Sequence, residues 1–424
     1  MDTLTAPGGA VAAAELIALE AAIRATEAAC LADLARLVNI DCGSYTPAGV
    51  DEVGRFVAGF MTDAGARVEV RVDPAGTRGA TVIGIWDGEL GTPGGPRILL
   101  IGHMDTVFDP GTAAARPFAL DAAGIARGPG VTDMKSGLLA GLYAVRALAA
   151  AGPLPFERLT WIANPDEEIG SPSSTPHIRE IAAESDVCLV LECARANGDI
   201  VSSRKGILDA RVTVHGRAAH AGVEPEKGRS AILAAADLVT RLHALNGRWD
   251  GVTVNVGVID GGTRPNVVAE TCSFEVDVRA VRRADLEAAE AELATLLGSL
   301  AVPDVTAELE PLARWWPMEK LERSGRLVEH AQAIARRLGF EVRDAATGGA
   351  SDANTTSGMG VPSIDGLGPI GGMDHSPAEY LEVASVVPRT TLLAGLLLAI
   401  GRDPVVAGWR ADGSVPSSPA VAPG

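Results

Sequence analysis

The sequence predicts an α/β protein: a larger domain with a mixed, largely parallel sheet, interrupted by a smaller ferredoxin-like domain. Three observations predict it. Apolar strands alternate with helical stretches through the first half of the chain, the pattern of layered α/β domains. The segment RILLIGHMDTV (97–107) is continuously apolar from Ile98 to Ile101, as expected of a central strand covered on both faces. From about residue 206 the order becomes β-α-β-β-α-β, which is ferredoxin-like and forms a compact unit of its own.

Taken in order, residues 14–38 have helical apolar spacing rich in Ala, Leu and Glu, and a second helix fits 50–65. ARVEVRV (66–72), ATVIGIWDG (80–88) and 97–107 read as strands, followed by a helix at 134–150 and strands at 158–164 and 188–192. The insertion starts with the alternating strand GILDARVTVHG, then a helix at 228–245, strands at 251–259 and 270–281, a helix at 283–299 and a strand at 304–310. The chain returns through a helix at 323–338, strands near 339–343 and 361–367, and a last helix near 384–401. The expected domains are therefore 1–205 with 317–410, and 206–316. Residues 411–424, rich in Ser, Pro, Ala and Gly, are expected to be a disordered tail.

Bulk properties narrow the function classes. A chain of 424 residues exceeds one small core, and 47% hydrophobic with 21% charged residues is a globular composition. No stretch approaches the roughly 18 consecutive apolar residues of a membrane span. The N-terminus, MDTLTAPGGAVAAAELIALE, has no basic region ahead of an apolar block, so a cytoplasmic protein is expected. Five scattered cysteines without C-x-x-C spacing indicate neither a disulfide framework nor a thiolate zinc site. A net charge of −18 argues against nucleic acid, and an anionic substrate would need local positive charge, which metal ions can supply.

The chemistry-bearing residues cluster at strand ends. His103 and Asp105, in GHMDT, close an apolar strand where ligands bind in open α/β sheets, and a carboxylate commonly orients a metal-binding imidazole. By itself H-x-D is more often an ordinary strand-end histidine. Asp133, in GPGVTDMKSG, follows a Gly/Pro turn and precedes a small-residue helix; it is a metal-bridge candidate or simply an N-cap. NPDEEIGS places Asp166, Glu167 and Glu168 together after a strand, where three carboxylates repel unless cations or protons neutralise them; a solvated acidic loop is the bland alternative. Glu192 closes CLVLE, and His375 lies in GLGPIGGMDHSPAEY. Together they make two imidazoles and three carboxylate ligands, a mixed set that suits zinc, with cobalt or manganese as substitutes. Two divalent cations against Asp133, Glu168 and Glu192 plus a bridging hydroxide bring the site to neutrality. GLGPIG (366–371) also satisfies G-x-G-x-x-G, but Pro369 and the run into MDHSPAEY do not open the helix that a dinucleotide site requires.

GHMDTV, GPGVTDMKSG, NPDEEIGS, the lone Glu192 and GMDHSPAEY occur in an order and spacing that resembles the dizinc amidohydrolase family of glutamate carboxypeptidase, succinyl-diaminopimelate desuccinylase, acetylornithine deacetylase and peptidase T. The resemblance spans roughly 15–402, includes GRAAHAGVEPEKG, GGTRPNVVAE and FEVDVRA of the insertion, and is nearest to bacterial glutamate carboxypeptidase. It implies a dizinc-peptidase catalytic domain carrying a dimerisation domain, two divalent ions per subunit, and a homodimer acting on a small-molecule or short-peptide substrate. By the same resemblance, Asp133 bridges the metals, His103 and Glu192 complete one site, and Glu168 and His375 the other. Asp105 would orient His103, Glu167 would be the general base, and His220 would reach the partner's active site to polarise the scissile carbonyl. Arg314 would hold a substrate carboxylate, with Asn266 and Arg279 on the substrate side. Where the glutamate carboxypeptidase has a lysine, this chain has Asp199, with Arg204 and Lys205 as candidate replacements. The implied activity is hydrolysis of the amide bond of an N-acyl amino acid or peptide with a free carboxylate. An N-acyl amino acid deacylase or desuccinylase is the alternative within the chemistry. A silent metal-binding homologue is the alternative outside it, and that one would have lost Glu167 or a ligand.

Overall fold

The computed structural model describes residues 10–87 and 92–409. The expected tail at 411–424 lies outside them. Ten strands form the two principal sheets: β1 (Arg67–Arg71), β2 (Thr81–Trp86), β3 (Arg97–His103), β4 (Arg158–Asn164), β5 (Val187–Val190), β6 (Gly206–His215), β7 (Thr253–Gly261), β8 (Thr271–Ala280), β9 (Thr306–Trp315) and β10 (Ser363–Ile364). The chain folds into two compact units, the second comprising Ser203–Glu319 with Thr347–Ala350. The expected insertion, 206–316, falls inside that second unit.

In the first unit the sheet order is β1-β2-β4-β3-β5-β10. β1 and β2 run antiparallel to their neighbours, whereas β4, β3, β5 and β10 pair in parallel. The protein is thus mixed α/β with a mostly parallel sheet. β3 is buried from Ile98 to His103, so its side chains meet protein on both faces, and continuous apolarity rather than alternation is its signature. Helix Ser136–Ala151 lies close on the sheet because Gly137 and Gly141 carry no side chain. A Cβ at Gly137 would run into the Leu191 carbonyl, and one at Gly141 into the Trp161 ring. Helix Val386–Gly401 packs on that helix and is almost wholly buried. With its leading 3-10 turn it is long and apolar enough to span a bilayer by composition, yet 78% of the window is buried in the unit.

The second unit is an antiparallel sheet in the order β7-β8-β6-β9, with helices Ala231–His243 and Arg283–Leu297 over one face. β6 and β8 alternate buried and half-buried residues without a break, the period-2 signature of a sheet with one open face. Phe274, Val276, Val278, Leu208 and Val212 supply the core, together with Leu238 and Leu293 from the helices.

Four expectations need correction. The helix expected over 14–38 is two helices, Ala13–Ala25 and Glu27–Val38, because the Thr26 hydroxyl donates to the Ile23 carbonyl and the backbone leaves helical geometry there. The helix expected from 134 begins at Ser136, since Asp133 and Met134 have non-helical dihedrals. No strand occupies 339–343; the strand in that region is Asp344–Thr347, paired with Ile200–Arg204. The strand expected over 361–367 shrinks to Ser363–Ile364. A small sheet of Ala119–Leu120, Ile125–Arg127, Tyr380–Glu382 and Gly371–Gly372 was not legible in the sequence, because strands of two or three residues have no periodicity to read.

Candidate metal centre

Parallel pairing places the carboxyl ends of β4, β3 and β5 side by side. His103 ends β3, Glu168 follows β4 and Glu192 follows β5, so three residues far apart in sequence share one sheet edge. The small sheet supplies the rest. Its strand Ile125–Arg127 leads directly into the turn carrying Asp133 and pairs with Tyr380–Glu382, which closes the loop carrying His375. His375 and Met373 in that loop both adopt positive φ, 59° and 60°, a conformation uncommon outside glycine and typical of constrained sites.

Asp133 lies at the centre. Its Oδ1 is 3.2 Å from His103 Nε2 and its Oδ2 is 3.2 Å from His375 Nε2, so each oxygen faces a different imidazole. Glu168 Oε2 approaches His375 Nε2 at 3.1 Å, and Glu192 Oε1 approaches His103 Nε2 at 3.7 Å. On the other side of its ring, His103 Nδ1 lies 3.0 Å from the Asp105 carbonyl oxygen and 3.3 Å from its carboxylate. That contact fixes the ring and leaves Nε2 facing the cluster. Asp105 is itself held by the Ser44 hydroxyl at 2.6 Å and by the backbone N–H groups of Glu167 and Glu168 at 3.2 Å each. One buried carboxylate thus ties the histidine to the acidic loop.

The three carboxylates of NPDEE separate into distinct roles. Asp166 is fully buried and accepts from Ser173 N, Ser173 Oγ and Ser174 Oγ, so it shapes the loop. Glu168 turns towards His375. Glu167 remains with His103 and Glu192, close enough that one ligand atom from each lies within 4.8 Å of the others; His103, Asp133 and Glu168 form a second such group. Imidazole nitrogens and carboxylate oxygens gathered at this spacing suit a borderline cation such as zinc. The donor set therefore fits a metal centre.

Electrostatics agrees with this reading. Burial would lower the His103 pKa, but Asp105 and Asp133 outweigh it and hold the ring well above the ordinary histidine value. Asp133 and Glu168 raise His375 to about 10. Burial pushes the Asp133 carboxyl up, yet the two imidazoles prevail and hold it below the usual carboxylate range. Burial first, and then the neighbouring Glu192, push Glu167 well above the usual range. This many charges in one buried place requires cations, and protons or metals can serve.

Several supporting residues escaped the sequence reading. Glu379, 1% exposed, accepts from the backbone N–H groups of Gly130 (2.9 Å), Thr132 (2.9 Å) and Asp133 (3.1 Å), gripping the turn that presents Asp133. Its signal was available as a carboxylate four residues after His375 inside the same motif. Asp352, 1% exposed, accepts from Asn164 Nδ2 and Ser171 Oγ at 2.6 Å each, joining the end of β4 to the loop after it. Ser44 and Asp352 carried no sequence signal, because their partners are 61 and 181–188 residues away.

The substrate-side candidates lie in the second unit. His220 and Asn266 are exposed and come together: His220 bridges Val267, and the Ala221 N–H donates to the Asn266 carbonyl at 3.0 Å. Arg279 is engaged by Asp277 at 3.0 Å and donates to the Gly348 carbonyl at 2.8 Å. Arg204 is buried and donates to the carbonyls of Gly349 and Ala350, while the neighbouring Lys205 N–H donates to the Thr347 carbonyl. Arg314 forms a two-pronged pair with Glu290 at 2.8 and 2.7 Å and stacks over Trp316. In the first unit, Asp199 accepts from the Arg343 N–H and from Asn197.

The carboxyl edge of the mixed sheet and the loops of the small sheet beside it thus gather two imidazoles and several carboxylates into a candidate metal centre of an α/β protein. The profile described as peptidase family M20/M25/M40 matches residues 99–399, and the chain belongs to that family. Carboxypeptidase G2 of Pseudomonas sp. (strain RS-16) is 30% identical over 375 residues, 87% of this chain and 88% of that protein. Succinyl-diaminopimelate desuccinylase of Leptothrix cholodnii is 28% identical over 347 residues, 76% of this chain and 86% of that one. Among solved structures, aminopeptidase PepT from Bacillus cereus superposes with a TM-score of 0.73 at 23% identity, covering 88% of this chain and 98% of that chain. The protein is accordingly a hydrolase of the metallopeptidase class.

Proposed function

We propose that the protein hydrolyses the amide bond of an N-acyl amino acid or short peptide whose leaving amino acid has a free carboxylate. The observation that carries this reading is Asp133, with one carboxylate oxygen towards each imidazole. His103, Glu192 and Asp133 would hold one divalent ion, and Glu168, His375 and Asp133 the other; zinc is the proposed metal. When bound, the ions supply acidification of the attacking water and polarisation of the scissile carbonyl. Glu167 takes the proton from that water and delivers it to the leaving amine nitrogen, a role that its place beside His103 and Glu192 supports. Asp105 keeps the His103 ring in its ligating orientation. His220, contributed by a partner subunit of a cytoplasmic homodimer, would donate to the developing oxyanion.

A deacylase acting on the acyl side uses the same steps, and the 28% identity to a desuccinylase supports it as a second reading. The test is a screen of N-acyl amino acids and dipeptides with metal analysis of the active protein. Two equivalents of metal per subunit and turnover of free-acid substrates are expected. Full activity with fewer than about one equivalent sinks the dinuclear reading, and equal turnover of acids and their amides favours the deacylase.

A further inference from the structure

The glycines of GLGPIG (366–371) serve close packing within the first unit. Gly366 adopts a φ of 68°. A Cβ at Gly368 would lie 2.9 Å from the carbonyl oxygens of Leu191 and Glu192, and one at Gly371 would run into Thr132 and the Tyr380 carbonyl. The loop therefore touches both segments that carry proposed ligands beyond β3 and β4. Towards Glu192, the Gly368 N–H donates to the Glu192 carbonyl at 2.8 Å, and the Ala194 N–H donates to the Pro369 carbonyl at 3.1 Å. Towards His375, the loop runs into strand Gly371–Gly372, which pairs with Tyr380–Glu382 and ends three residues short of the imidazole.

Arg389 holds this loop. It projects from helix Val386–Gly401 and is 1% exposed. All three of its guanidinium nitrogens donate to backbone carbonyls: Nε to Gly368 at 2.9 Å, Nη2 to Gly366 at 2.6 Å and Nη1 to Gly198 at 3.0 Å. At the start of the same helix, the Ser385 hydroxyl oxygen accepts from the Ile370 N–H at 2.8 Å. Burial pushes the Arg389 guanidinium down to about 10, which leaves it charged at neutral pH. A buried charge is costly unless its donors are met, and the planar fork of arginine meets three carbonyls that a lysine ammonium cannot span in the same way.

We propose that Arg389 is a positioning residue for the metal centre: by clamping the Gly366 and Gly368 carbonyls, it fixes the loop that seats Glu192 on one side and delivers His375 on the other. The inference rests on the metal-centre reading above. Glu192 and His375 belong to different ions in that reading, so the clamp sets the spacing between the two ion sites. Its loss loosens both, although Arg389 itself touches neither ligand side chain. Partners of metal ligands act in this indirect way, through the orientation they impose.

The test uses the full-length protein and Zn2+ alone. Affinity for each of two ions is read by competitive chelator titration, beside the thermal midpoint of the metal-free protein. Arg389→Lys keeps the charge without the fork and is expected to weaken both ions about 10-fold; Arg389→Met is expected to approach about 100-fold. Asp403→Ala is the control, because it breaks buried contacts to Arg326 and His330 in the same unit that involve none of the proposed ligands. It should lower the midpoint and leave Zn2+ affinity unchanged. If Arg389→Lys binds both ions as wild type does, or Asp403→Ala weakens them as much, Arg389 only stabilises the fold; the assignment then fails while the metal-centre reading stands. Should neither arginine variant fold, Gly368→Ala decides, since it displaces the loop from the Glu192 carbonyl with Arg389 in place. Weakened binding of both ions supports the inference, and unchanged affinity overturns it. A wild type that binds no Zn2+ removes the metal-centre reading and the inference together.

Discussion

The acidic residues around the candidate centre and those on the sheet of the second unit are satisfied in opposite ways. In the first, Asp105, Asp166, Asp352 and Glu379 are each 1% exposed or less, and every one is satisfied by backbone N–H groups, hydroxyls or an amide. In the second, Asp277, Glu275, Glu310 and Glu290 stand at the surface and pair with Arg279, Arg211 and Arg314. Exposed pairs of that kind contribute little to stability, whereas a buried carboxylate without donors is costly. The first unit therefore gathers buried charges around one sheet edge, whereas the acids on the sheet of the second are matched by arginines at its surface.

Substitutions can break or sharpen that contrast. Glu167→Gln removes the base and no ligand, so kcat is expected to fall roughly 10²- to 10⁴-fold with metal content unchanged; near-normal turnover would remove Glu167 from the mechanism. Phe274→Ala opens a cavity in the core of the second unit and should cost about 3–5 kcal/mol in denaturant unfolding. Metal affinity of the remaining folded protein is expected to stay unchanged, and a large loss would show that the units are not separable in this way. Asp105→Ala frees the His103 ring and should weaken metal binding about 10- to 100-fold by competitive chelator titration, with little change in the second unit.

A further prediction concerns pH. Burial raises Asp352 to about 7 from 3.8, although Ser171 and Asn164 donate to it and oppose the rise. An acid whose folded pKa lies above its unfolded one binds more protons when folded, so stability declines as pH rises from about 4 to about 7. Asp352→Asn should flatten that decline in unfolding experiments across the interval. An unaltered slope would show that other groups set it. In the second unit Asp209, raised to about 6 by burial and by Asp277 opposite it, should add a smaller slope of the same sign.

Legibility differed for the same reason that the units differ. β6 and β8 announced themselves through strict alternation, because an antiparallel sheet with one open face repeats every two residues. β3 did so through unbroken apolarity ahead of His103. The carboxylates and imidazoles of the centre could be picked out because each sits in a motif at the end of such a strand. The identity of the candidate cluster was therefore a property of the sequence. Which oxygen of Asp133 faces which ring, why Asp166 shapes the loop while Glu168 turns inwards, and that Glu379 and Ser44 support the arrangement were decided only by tertiary structure. The sequence named arginines for a carboxylate but could not rank them, because whether a guanidinium is free depends on what folding brings beside it. Glu290 reaches Arg314 from 24 residues away. Local pattern determines elements and the residues at their ends; pairing across long sequence separations, fixed by how the sheet and its loops close, determines which of those residues retain chemistry to offer.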